Sequence, residues 1–267
     1  MVRRVAEQLV HVSVLDLATR LAAQAFLAAL PMLFAIAAYC PDAVRDQLRS
    51  SLRGLLGGDG TALGQVDSVY AGGAWESETW GAVSVVVALV SATALSRALQ
   101  RLCERSWHLP HLGLRAMTWR WVVWLLVWSV ALVFQGVLRG GFGAGGAVGM
   151  PLQGAAAVGL WWWTQHLLLA GRVGWLSLLP GALLTGAGAT GFAAASGLWM
   201  PRSLRQSVEQ FGPLGAVFTV LSWLILFCAT VVVCVAVGQV LAQERAVRRV
   251  LGIPEGNEGG GAGTRRK

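Results

Sequence analysis

The chain has 267 residues, 55% hydrophobic and 13% charged, with a formal net charge of +8 and a mean hydropathy of +0.61. A soluble domain carries about 25% charged residues, so a water-covered globule fits poorly and a polytopic membrane protein is expected.

In chain order, residues 1–20 place Val5, Leu9 and Val12 on one side of a helix, with Arg3 and Arg4 nearby. This predicts an amphipathic segment along the cytoplasmic membrane surface. Leu21–Tyr39 is the first of six apolar runs near the roughly 20 residues that a bilayer core requires. It reads as a retained span, because it is longer than a leader's apolar core, holds Pro31 at its middle and precedes no small-x-small cleavage site. The bulky Tyr39 before Cys40 argues against a lipidated cysteine.

In Pro41–Gly58, Val44, Leu48, Leu52, Leu55 and Leu56 recur at helical spacing beside Arg45, Arg49 and Arg53. Asp42 and Asp46 start the pattern and Gly57-Gly58 end it. The expected outer helix either lies on the membrane, its three arginines on anionic headgroups, or packs against the outer ends of the spans. The second run, from about Trp80 to Ser96, continues into LSRALQRLCERSW. There a helix carries Arg97, Arg101 and Arg105 on one face and Leu95, Leu99, Leu102 and Ser106 on another. The stripe starts where the span leaves the bilayer, and anionic headgroups would attract each arginine by roughly 1 kcal/mol.

The third run is Trp121–Leu138 and the fourth Val148–Ala170; Trp119, Trp121, Trp124, Trp128 and Trp161–Trp163 are expected to point mostly toward lipid or its interface. In the fifth, Leu176–Trp199, Ala182, Gly186, Thr190 and Ala194 follow at four-residue spacing. Such a face suits close backbone packing and also leaves room for a substrate path. The sixth is Leu214–Leu241, and the Gly-rich tail 242–267 with its basic end is expected to be disordered.

Six spans put both termini on one side. With the ends in the cytoplasm, the inner segments hold 15 of the 21 Lys and Arg residues and the outer loops six, while the 13 acidic residues split six and seven. That is the cation bias of cytoplasmic loops. The expected fold is all-α, with a six-helix transmembrane domain over 21–241 in a bacterial inner membrane. Abundant Gly, Ala and Arg with a single Lys fit a GC-rich source of actinobacterial type.

No Asp, Glu, Lys or Arg falls within the six runs, although proton relays and ion pathways usually need one. Their polar residues are Gln24, Gln135, Gln153, Thr164, Gln165, His166 and Gln239. Each either bonds between helices or, with Pro31, Gly186 and Thr190, marks a substrate path. His166 alone among them titrates near neutrality. Cys40, Cys103, Cys228 and Cys234 form no CxxC pair and read as small buried apolar residues, so no metal or cofactor is expected.

WGAVSVVVALVSATALSRALQRLCERSWHLP is similar to the second span and following loop of the YihY/virulence factor BrkB family. The last run, with Phe211, Gly212, Gly215 and Gly238, resembles the family's final span, and RLAAQAFLAALPMLF with Pro31 its opening helix. The resemblance covers nearly all of Asp16 to Glu244. It breaks before Pro31, where Phe26-Leu27-Ala28-Ala29 replace a polar Ser and paired aromatics, and after Gly238, where Gln239-Val240 replace Ala-Glu.

The resemblance implies a six-helix inner-membrane protein of transporter type without an agreed substrate. Members also carry the name ribonuclease BN. A hydrolytic ribonuclease needs clustered metal ligands or a paired acid and base, whereas the only close histidines here, His108 and His111, bracket Pro110 with Glu104 as the nearest carboxylate. Topology already explains the positive charge of that loop, so neither enzyme activity nor a nucleic-acid partner is expected. The leading reading is a permease-like protein for a lipid-linked or small amphipathic substrate; the alternative is a scaffold that organises envelope proteins through its basic inner surface. Membrane lipids, with anionic headgroups on the cytoplasmic side, are the expected partners; protein partners stay open and a homo-oligomer is compatible. A polar pocket at mid-depth near Gln24, Gln135 or Gln153 would favour the first reading.

Overall fold

A computed structural model describes residues 13–39, 78–110, 118–139 and 146–244, together with Arg3, Glu7 and Gln8. All regular structure among them is helical: α1 (Val14–Tyr39), α2 (Glu78–Ser106), α3 (Thr118–Arg139), α4 (Gly146–Leu168), α5 (Trp175–Phe211) and α6 (Pro213–Gln243). Each helix is built on one apolar run of the sequence, but α1 begins seven residues before its run, α2 and α5 continue 10 and 12 residues beyond theirs, and α4 stops two residues short of Ala170. The expected outer helix with Arg45, Arg49 and Arg53, and the tail from residue 245, lie outside the described residues.

Backbone chemistry sets the helix ends. Asp16 sits in the first turn of α1, where a carboxylate complements the helix dipole. At the end of α2 the amides of His108 and Leu109 bond back to the carbonyls of Arg105 and Glu104, and His108 takes the left-handed φ of 52° that this cap needs. The α4 terminus repeats the pattern, with Ala170 and Gly171 bonded to Leu167 and His166 and Ala170 at φ 56°. Between α5 and α6 the chain reverses on Gly212 alone, at φ 63°, with Pro213 opening α6. A Cβ on Gly215 would run into the Ser207 carbonyl, so the hairpin closes only around glycine.

The helices pack in a ring in chain order: α1 lies against α2 and α6, α6 against α5, α5 against α4, and α4 against α3. The closest crossings use the small residues of α5. A Cβ on Gly238 would meet the Gly181 Cα, and one on Gly186 would meet the Val158 backbone, so the helix axes approach as only glycine allows. The core gathers at the end of the bundle where α1 begins, around Leu21, Leu102, Leu168, Leu178, Val232 and Ala236. We call this the proximal end and the other the distal end.

Trp121, Trp124 and Trp161 are buried in that core, which corrects the expectation that the tryptophans face lipid; Trp119 alone of its ladder is well exposed. Two indoles of the ladder find polar partners on other helices, whereas the buried Trp124 Nε1 has none among the described residues. Trp121 donates to Gln100 Oε1 at 3.2 Å, and Trp128 donates to Thr164 Oγ1 at 3.1 Å, partners that an indole N–H needs once inside.

The outside of the bundle is apolar. Leu27, Val86, Val90, Leu126, Phe134, Leu198, Phe218 and Leu226 are all more than half exposed, a spread that no water-facing surface sustains. Among the described residues, α5 and α6 are long and apolar enough to cross a bilayer. The 37 residues of α5 span about 55 Å, so this helix reaches beyond a hydrocarbon core of roughly 30 Å.

Candidate ligand cleft

A cleft of about 850 Å³ opens in the distal half of the bundle, between α3, α4, α5 and α6. It exists because α3 packs on α4 and α2 but not closely on α5 and α6. Trp128, Trp161, Trp163, Trp223, Phe192 and Phe227 supply the aromatic part of its wall. Phe192 sets its ring edge-on to Trp223 at 5.4 Å, and Trp128 meets Trp161 in the same way at 5.3 Å, geometries that fix aromatic rings in place. Among the described residues the polar side chains of the lining are Gln135, Gln153, Thr190 and Ser196, and none is charged. Thr190 turns its hydroxyl back onto the Gly186 carbonyl, which leaves Gln135, Gln153 and Ser196 as the other polar side chains of the wall.

The structure thus brings together Gln135, Gln153 and Thr190 from the residues singled out in the sequence. It places the others elsewhere. Gly186 is a packing position against α4. His166 sits at the α4–α5 turn, stacked on Trp175 with centroids 3.9 Å apart. Gln24 is half-buried on α1, its Oε1 without a hydrogen-bond partner among the described residues, and does not line the cleft; Pro31 lies within α1. The four-residue stripe on α5 divides: Ala182 and Gly186 are buried at crossings, Thr190 reaches the cleft, and Ala194 is exposed.

Toward the proximal end the bundle is closed by polar stitching that spacing alone did not reveal. Glu104, 1% exposed, accepts from Gln100 Nε2 at 2.8 Å and from Arg172 at 2.9 Å. Arg172 also donates to the carbonyls of Pro110 and Leu169, and Arg120 to that of Leu167. Gln8 donates to the Ser106 carbonyl at 3.0 Å. Cys103, beyond the apolar part of α2, has its thiol pushed up to about 12 by burial and by the Glu104 charge, which leaves it inert.

On the arginine stripe, Arg101 and Arg105 are exposed, while Arg97 is half-buried, 5.5 Å over the Trp121 ring. Among the described residues no three His, Cys, Asp or Glu side chains cluster as a metal site would require.

An apolar-jacketed helical bundle with a charge-free mid-section has the build of a helical membrane protein. The profile of the family described as Virulence factor BrkB matches residues 5–257. The chain belongs to that family. No curated protein and no solved structure matches it.

Proposed function

We propose that the protein is a non-enzymatic, six-span protein of the bacterial inner membrane, with both termini cytoplasmic, that moves a lipid-linked or small amphipathic substrate. The carrying observation is the cleft. Its volume falls in the upper part of the roughly 300–1,000 Å³ range of ligand sites, and its apolar wall with a few placed polar groups is their usual makeup. With cytoplasmic termini the proximal end is the inner one, so the cleft opens in the outer half and the stitching around Glu104 closes the inner half. That asymmetry is what a carrier resting open to one side requires.

The test is translocation in proteoliposomes. The wild-type protein should move a fluorescent lipid between leaflets, and Ala193→Trp, which fills the cleft, should stop it while the variant stays monodisperse. Folded protein that moves neither lipid nor solute from a broad panel would overturn the reading.

The scaffold reading draws on the exposed Arg101 and Arg105. It expects Arg101→Gln/Arg105→Gln to lose partners in a detergent pull-down while lipid movement persists.

A further inference from the structure

A second cavity of about 580 Å³ adjoins the cleft on its distal side, between the end of α5 and the start of α6. Its chemistry differs from that of the first. Ser203, Ser207, Thr219 and Ser222 line it, and Phe211 and Phe218 form an exposed apolar lip. Thr219 Oγ1 lies 2.8 Å from Ser207 Oγ and 2.9 Å from the Gly215 carbonyl oxygen. The Thr219 proton can therefore go to the carbonyl while its oxygen accepts from Ser207, which holds both hydroxyls in a fixed direction.

The two cavities meet at Trp223, which lines both. They also share one face of α5. Ala189, Ala193, Ser196 and Met200 of the first, then Ser203 and Ser207 of the second, follow at spacings of four, three, four, three and four, the period of a single helical stripe. Among the described residues no charged side chain lines either cavity.

We propose that these cavities form one two-compartment site for an amphiphile with an uncharged, hydroxyl-rich headgroup. The aliphatic chain lies in the large aromatic-walled compartment, and a sugar or polyol head lies among the serine and threonine hydroxyls, with the Trp223 ring between them. A phosphate would enter a compartment whose described lining holds no cation, and would lose its water there without compensation. Hydroxyls both donate to and accept from Ser and Thr side chains, and a sugar's apolar face rests well on an indole. The proposal rests on the cleft being the ligand site of the function proposed above and adds which lipids it takes.

The experiment titrates the full-length protein in phosphatidylcholine nanodiscs with three lipids of identical acyl chains: monoglucosyl-diacylglycerol, phosphatidic acid and diacylglycerol. Native mass spectrometry counts the bound lipid. Two added hydrogen bonds predict that the glucosyl lipid binds about tenfold tighter than either of the others. Ser203→Ala/Ser207→Ala should bring all three within about twofold of one another, at the level of diacylglycerol. Ala193→Trp should weaken all three. The small alanine substitutions guard against misfolding, which an unfolding scan checks.

Preference for phosphatidic acid, equal binding of the three lipids, or a serine double variant that keeps the preference would overturn the proposal. So would a protein dimer that Ala193→Trp dissolves, since a second copy would then own the cleft. Lipid translocation by proteoliposomes without headgroup preference sinks this inference and leaves the transport reading standing. Selective binding without translocation does the reverse.

Discussion

Arg172, on the turn between α4 and α5, donates to the carboxylate of Glu104 at 2.9 Å and ties that turn to the last turn of α2, 68 residues earlier in the chain. The same guanidinium holds the carbonyls of Pro110 and Leu169, so one side chain joins the α2–α3 loop to the α4–α5 turn. Glu104 is 1% exposed on its side chain and Arg172 23%. A pair this buried adds little over well-packed apolar residues, yet removing one member strands the other charge. Its role is to close the proximal end in one arrangement.

Arg172→Ala should therefore destabilise the bundle by about 3–5 kcal/mol. Glu104→Leu/Arg172→Leu, which removes both charges, should cost clearly less. Thermal unfolding of both variants in one detergent checks this, and an unchanged midpoint for Arg172→Ala would show that the ion pair does not hold the end closed.

The small residues of α5 make a second prediction. Gly238→Leu places a side chain where the Gly181 backbone already stands, and overpacking of that kind costs typically 1–3 kcal/mol, more when backbone must move. Loss of the monodisperse peak in size exclusion is the expected result. Gly191→Ala, on α5 but with open space around its Cβ position, should elute as wild type.

Much of this could be read in the sequence. Six apolar runs gave six helices because run length and polarity act locally. The leucine face of LSRALQRLCERSW buries Leu99 and Leu102 and leaves Arg101 and Arg105 outside, as spacing alone requires. What escaped depends on pairs far apart in the chain. Nothing near Glu104 announces Arg172, and nothing in the tryptophan ladder announces that Gln100 and Thr164, on other helices, accept the indole protons of Trp121 and Trp128. Gln135 and Gln153 were picked for their polarity, but that they share one cavity depends on how α3 and α4 pack. The sequence marks a different stripe on α5, Ala182, Gly186, Thr190 and Ala194, and Ser203 and Ser207 lie beyond the apolar run that ends at Trp199.

Two helix caps hold non-glycine residues at positive φ, His108 at 52° and Ala170 at 56°. An L-residue there pays roughly 1–2 kcal/mol in steric strain, and glycine returns part of that gain as lost chain entropy. Ala170→Gly should raise stability by up to about 1 kcal/mol. A fall in the unfolding midpoint would mean that the Ala170 methyl, partly buried against the core, contributes more by packing than it loses by strain.

The last prediction concerns orientation. The proximal end carries Arg101, Arg105, Arg120 and Arg172, and the distal end, among the described side chains, Arg202 and Arg205 with Glu209. Cation excess belongs on the cytoplasmic side, so the proximal end should face inward. Pro110 and Gln206 are exposed and stand at opposite ends. In intact cells, with the native cysteines replaced, Pro110→Cys should resist a membrane-impermeant maleimide until the membrane is permeabilised, whereas Gln206→Cys should react at once. The opposite labelling would turn the protein over, place the cleft in the cytoplasmic leaflet and put the lipid of the two-compartment site on the inner side. Equal labelling of both without permeabilisation would remove the membrane from the account altogether.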